Sequence, residues 1–284
     1  MADSPLLIRY FHPDDDERMG LWIEDTVYDV THLFPFLSVW LHTSVGRVDE
    51  AIESLISAAY DSPRSFPANS LDTPPSSNEV HWLPPLDEKE IWATGVPYFS
   101  VWTITPTSPE LFFKSGAKNT VGHLDKVGIR KDSKWNVPEP ELALVLNSAM
   151  EMVGFTIGND MSSRDIEGAN PLYLPQAKVY TACCALGPGI LLAPSTDWLD
   201  TQIRVSINRD GTEQFSGDIH TSQIKRTIPE LVEYLGRSNT FPSGVILLTG
   251  TGVVPHADFT LMPDDVVTIT IDAIGTLQNT VKEV

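Results

Sequence analysis

Glu139 and Glu141 stand two residues apart at the head of the apolar run Leu142-Ala-Leu-Val-Leu146. In an extended strand that spacing turns both carboxylates to one face. Asp160 closes a second apolar stretch, Val153-Gly-Phe-Thr-Ile-Gly-Asn159. Three carboxylates delivered from strand ends, with Pro138 and Pro140 stiffening the approach, make an oxygen-rich site for a hard divalent cation that keeps several waters. Magnesium suits such donors best and manganese next. A solvated acidic rim is the plainer reading of two glutamates on one strand face. Against it stands the company these residues keep. Ser162, Ser163, Arg164 and Asp165 follow Asp160 in one polar burst, and Lys178 follows in an otherwise uncharged segment. Polar clusters between apolar strands are where function concentrates.

The elements that must carry these groups are mostly strands, which points to a β-rich α+β protein. Leu6–Phe11 reads as a strand, and Arg18–Ile23 with Thr26–Val30 as a hairpin turned at Glu24-Asp25. Apolar residues at 48, 51, 52, 55, 56 and 59 give Val48–Tyr60 the helical period. Asp61–Asn78, rich in proline and serine, reads as a linker. These signals set a small N-terminal α/β domain over residues 1–86 and a β-sheet domain over residues 87–284, with the boundary near Leu86. Glu90–Gly95 and Leu111–Phe113 enter the second domain as strands. Prolines between Pro171 and Pro175 argue against a long helix, so Lys178 is expected on or beside a strand. Gln202–Asn208 alternates strictly and turns back at Asn208–Gly211, a hairpin away from the chemistry. Thr227 suits an N-cap, and Val245–Thr251, Asp265–Ile271 and Gly275–Val281 complete the sheet.

Several of these stretches carry a resemblance. Pro138-Glu-Pro-Glu-Leu-Ala-Leu-Val145, Gly154-Phe-Thr-Ile-Gly-Asn-Asp-Met-Ser-Ser-Arg-Asp165, Gln176-Ala-Lys178 and Leu248-Thr-Gly-Thr251 resemble the fumarylacetoacetate hydrolase superfamily. Asn170–Lys178, Cys183–Pro188 and Pro109–Lys114 resemble its branch of 2-keto-3-deoxy sugar-acid dehydratases. The likeness runs from about Glu90 to Val284 and implies a mixed β-sheet catalytic domain. It implies that Glu139, Glu141 and Asp160 ligate the metal, with Lys178 against the bound keto acid and Glu110 within reach of the leaving group. Near a cation the ammonium of Lys178 is disfavoured, which suits a base. Thr249, Gly250 and Thr251 would hold the substrate carboxylate, joined on the substrate by Ser163 and Arg164. Arg164 has a second reading, preferred here, in which it braces Asp165 and the ligands. His123 reads as structural, and the remaining histidines have no ligand spacing.

Composition narrows the partners. Nineteen basic against thirty-eight acidic residues give a formal charge of −19 over 284 residues, which disfavours nucleic acid and anionic membranes. The only cysteines, Cys183 and Cys184, are adjacent, so no disulfide scaffold is expected and the reading is a reduced, cytoplasmic protein. Neither an export signal nor a spanning apolar run is expected.

The resemblance thus implies magnesium-dependent dehydration of a 2-keto-3-deoxy pentonate to 2,5-dioxopentanoate in pentose catabolism. Two alternatives stay open: C–C hydrolysis of a diketo acid or decarboxylation of a keto acid, and binding of keto acids without turnover. The second arises because Val96–Ser108 is shorter than the covering segment of the dehydratase branch. A homodimer or homotetramer is expected, with Tyr98, Phe99 and Trp102 as candidate contacts.

Overall fold

The computed structural model describes residues 5–87, 90–95, 107–195 and 197–284. The expectations placed on Tyr98, Phe99 and Trp102 lie outside the described residues.

Pro140–Leu146 and Met152–Asp160 form an antiparallel pair at the centre of a 12-stranded sheet, with Glu141 opposite Gly158 and Pro140 opposite Asn159. Cys184–Leu192 flanks Met152–Asp160, and Val245–Leu248 flanks Pro140–Leu146. Every residue of Pro140–Leu146 and Cys184–Leu192 is buried. Strands covered on both faces read as near-continuous apolar runs rather than alternations, which is the pattern seen here. Glu90–Gly95 and then Glu110–Gly116 extend the sheet to one edge. On the other side Leu6–His12, Asp16–Ile23, Thr26–Asp29 and Ser65–Pro67 continue it.

One face of the central strands, with Leu142, Leu144, Phe155 and Ile157, packs on a 5-stranded sheet through Val205, Ile207, Val267 and Ile269. The other face, with Ala143, Val145, Ile246 and Leu248, packs beneath the helices Leu37–Thr43 and Val48–Tyr60 through Trp40, Leu41, Ile52 and Leu55. Strand alternation sends Glu141 and Asp160 toward this second face, just beyond the end of its apolar packing.

The first strand and hairpin, the helix Val48–Tyr60 and the Thr227 cap on helix Ile228–Gly236 stand where expected. Four features differ. The linker Asp61–Asn78 contains a strand, Ser65–Pro67, paired to Thr26–Tyr28, and a 3-10 turn at Ala68–Leu71. Leu6 and Leu7 pair with Leu191 and Ile190, so the N-terminal strands share one sheet with the catalytic strands. The helix Leu37–Thr43 and the buried strand Cys184–Leu192 were not anticipated, because short apolar runs carry no distinguishing period. Lys178 ends a five-residue helix, Leu174–Lys178, rather than lying on a strand. Pro175 sits in its first turn, where the missing N–H costs nothing.

Candidate active site

Glu139 and Asp160 are locked opposite each other by the backbone, the Asp160 N–H donating to the Glu139 carbonyl at 3.0 Å. Glu139, Glu141 and Asp160 are all buried, and each offers an oxygen within 4.8 Å of the others. Lys178 reaches them from its helix. Its Nζ donates to Glu139 Oε2 at 2.8 Å, to Asp160 Oδ2 at 3.1 Å and to Ser162 Oγ at 2.6 Å. Arg164 Nη2 lies 2.7 Å from Glu139 Oε1. The Gly250 N–H donates to the Glu141 carboxylate. Gly250 has φ +83°, a left-handed conformation that glycine adopts without penalty and that aims the donor inward.

Charge decides the protonation of this group. Burial alone raises the pKa of Glu139, but Lys178 and Arg164 outweigh it and hold that carboxyl below its ordinary value. Glu141 goes the other way: burial, then repulsion by Asp160 and Glu139, push it well above the usual range. For Lys178, burial disfavours the charge, yet Asp160 and Glu139 prevail and raise its pKa. An uncompensated buried glutamate beside two other carboxylates is what a divalent cation would relieve. The donors are all oxygens on convergent strand ends, so these residues fit a magnesium ion.

The structure also brings in Lys114, which sequence reasoning missed. It is fully buried, with Nζ 2.5 Å from Asp160 Oδ1. The same ammonium donates to the main-chain carbonyls of Met161 at 2.8 Å and Lys178 at 2.6 Å. The ammonium thus makes one ion pair and two hydrogen bonds. The available signal was its spacing: Glu110, Phe112 and Lys114 alternate along Glu110–Gly116 and share one face of that strand.

A cavity of about 690 Å³ opens over these groups, lined by Gly95, Glu110, Phe112, Glu139, Arg164, Glu167, Lys178 and Thr251 among others. Lys178 Nζ lies 5.5 Å from the centre of the Phe112 ring on its floor. Glu110, Lys178, Arg164 and Thr251 are therefore gathered as expected. Two hydroxyls are not. Ser163 is fully buried and donates to Asn136 Oδ1 at 3.0 Å, because strand alternation turns Ser162, not Ser163, toward Lys178. Thr249 is also fully buried, its Oγ donating to the Leu142 carbonyl at 2.7 Å. Asp165 turns away from Arg164 to accept from Ser133 Oγ and the Lys134 N–H. His123 accepts from the Gln278 N–H at 3.0 Å and packs against Trp82, in keeping with a structural role.

Comparison with known proteins agrees with this geometry. Residues 98–282 match the family described as fumarylacetoacetate (FAA) hydrolase C-terminal. A probable 2-keto-3-deoxyxylonate dehydratase of Haloferax volcanii is 44% identical over 222 residues, covering 72% of this chain and 76% of that protein. A 2-dehydro-3-deoxy-D-arabinonate dehydratase of Saccharolobus solfataricus is 39% identical over 226 residues, with the same coverage of 72% and 76%. A solved structure of 2-keto-3-deoxy-D-arabinonate dehydratase complexed with magnesium and 2,5-dioxopentanoate matches with a TM-score of 0.81 and 32% identity, covering 99% of each chain. With its buried carboxylates on the ends of paired strands and this match across most of its length, the chain belongs to the fumarylacetoacetate hydrolase family.

Proposed function

We propose that this protein is a magnesium-dependent dehydratase that converts a 2-keto-3-deoxy pentonate to 2,5-dioxopentanoate. One observation carries the reading: the buried cluster of Glu139, Glu141 and Asp160 meets, through Glu139 and beside Lys178, a cavity whose wall also presents Glu110. The named activities of the two dehydratase relatives, and the magnesium and 2,5-dioxopentanoate bound in the related structure, support it. Glu139, Glu141 and Asp160 would hold the ion, which when bound supplies Lewis-acid stabilisation of a carboxylate and an adjacent enolate oxygen.

Without metal, Asp160 and Glu139 hold Lys178 charged, against the expectation of a disfavoured ammonium. A cation held by those same carboxylates would neutralise them and free the amine. On that footing Lys178 is assigned as the base that removes a C3 proton, and Glu110 as the acid that protonates the departing C4 hydroxyl as water. A proton shift from C5 to C3 then gives an enol that ketonises to the C5 aldehyde, so that one water is lost and no oxidant is needed. Arg164 presents a guanidinium that is 31% exposed to the cavity while gripping Glu139, so it both braces that carboxylate and offers charge to an acid substrate. Thr251 lines the same cavity, and Gly250 beside it donates its N–H to Glu141.

The test is formation of 2,5-dioxopentanoate from 2-keto-3-deoxypentonates with added magnesium, together with deuterium exchange at C3. Lys178→Met should lose both, whereas Glu110→Gln should lose product while keeping exchange. No product above a metal-free blank would overturn the reading; exchange lost only in Glu110→Gln would reverse the two roles.

The same reading extends to a homodimer or homotetramer in a reducing compartment such as the cytoplasm, supported by the family resemblance and by the two buried free thiols of Cys183 and Cys184. Light scattering that gives a 31.3 kDa particle would refute the oligomer.

A further inference from the structure

Gly95 and Glu110 face each other across the antiparallel pair Glu90–Gly95 and Glu110–Gly116. Both line the cavity. A Cβ on Gly95 would stand 2.9 Å from Glu110 Oε2, 3.4 Å from Glu110 Cβ and 3.9 Å from its Cδ. The carboxylate of Glu110 thus lies in the space that a side chain at 95 would take. Gly95 does not have a left-handed φ, so its backbone does not require glycine. Glu110 makes no hydrogen bond or ion pair among the described residues. The Glu110 carboxylate lies beside the bare backbone of Gly95, and it is the group that a methyl at 95 would have to displace.

We infer that Gly95 is a positioning residue for the reaction: the missing side chain sets where the Glu110 carboxylate lies in the cavity. This rests on the assignment of Glu110 as the acid. Adding one methyl would push that carboxylate aside, and displacement of a reacting group by a fraction of an ångström to an ångström is costly to turnover. The same methyl is favourable to the strand itself, since alanine loses less backbone entropy than glycine on folding. Stability and turnover should accordingly move in different directions, a separation that a purely structural glycine would not show.

The experiment compares Gly95→Ala and Glu110→Gln with the parent protein. It reads kcat and KM on a 2-keto-3-deoxypentonate, the magnesium Kd by calorimetry, and Tm. Gly95→Ala is expected to lower kcat at least tenfold, to leave KM and the magnesium Kd within about twofold, and to hold or raise Tm. If Glu110→Gln loses turnover while Gly95→Ala keeps it, the inference about Gly95 fails and the role of Glu110 stands. If Glu110→Gln turns over like the parent, the assignment of Glu110 fails and takes this inference with it. A fall in Tm and magnesium affinity together in Gly95→Ala would show that the glycine serves the fold, and would also overturn the inference.

Discussion

Lys114 and Asp160 form an ion pair at 2.5 Å with side-chain exposures of 0% and 1%. The lysine comes from the edge strand Glu110–Gly116 and the aspartate from the central strand Met152–Asp160. Their contact ties the rim of the sheet to its middle. Lys114→Met would leave a buried carboxylate and two carbonyls, those of Met161 and Lys178, without this donor. Breaking one partner of a buried pair costs about 3–5 kcal/mol. Urea unfolding of the metal-free protein should show a loss of that order, and a loss below about 1 kcal/mol, typical of exposed pairs, would contradict it.

Glu141 should behave oppositely. Burial and its two acidic neighbours raise its pKa, so the folded metal-free protein retains a proton that the unfolded chain releases above about 4.5. The contribution of this group to stability falls as pH rises beyond that value, so the buried carboxyl is a burden near neutrality. Glu141→Gln removes the burden and the ligand together. Metal-free Tm should hold or rise, the magnesium-induced increase in Tm should vanish, and turnover should fall at least about a hundredfold. A retained magnesium response would show that Glu141 is not a ligand.

His123 supplies a pH dependence away from the site. Burial, opposed weakly by Asp72, lowers its pKa from 6.5 to about 4. The unfolded chain takes up the proton below pH 6.5 and the folded protein only near pH 4, so stability falls as pH drops through that window, by about 3 kcal/mol in all. His123→Gln should flatten this part of the curve. Urea midpoints at pH 4.5 and 7.5 for both proteins give the comparison, and equal slopes would refute it.

Much of the site was legible because it obeys strand periodicity. Glu139 and Glu141 share a face at a spacing of two, and Asp160 ends the neighbouring strand, so their convergence follows from local geometry. Lys178 was legible as a group but not in its setting: Pro171 and Pro175 read as helix breakers, yet a proline in the first turn begins a helix as readily as it ends one. Lys114 was hidden because a lone charge in a strand ordinarily reads as surface, and nothing local reports that the three acceptors around it come from residues 160, 161 and 178. Ser163 and Ser162 differ only in parity, which depends on the register with Asn136 and Val137.

The pairing of Leu6 with Leu191 and of Leu7 with Ile190 has a consequence for how this protein can be divided. Cys184–Leu192 is also the strand that pairs with Asp160 through Cys184. Cutting the chain at the linker and expressing residues 87–284 alone would keep the pairing of Cys184 and Ala185 with Thr120 and Val121 but strip the Ile190–Leu191 end, leaving unmet N–H and C=O groups on an apolar edge, the kind of surface that recruits other chains. The part that looks separable in sequence is therefore a guard rail for the part that carries the chemistry, and exchanging segments between relatives would succeed only where both partners of this seam travel together.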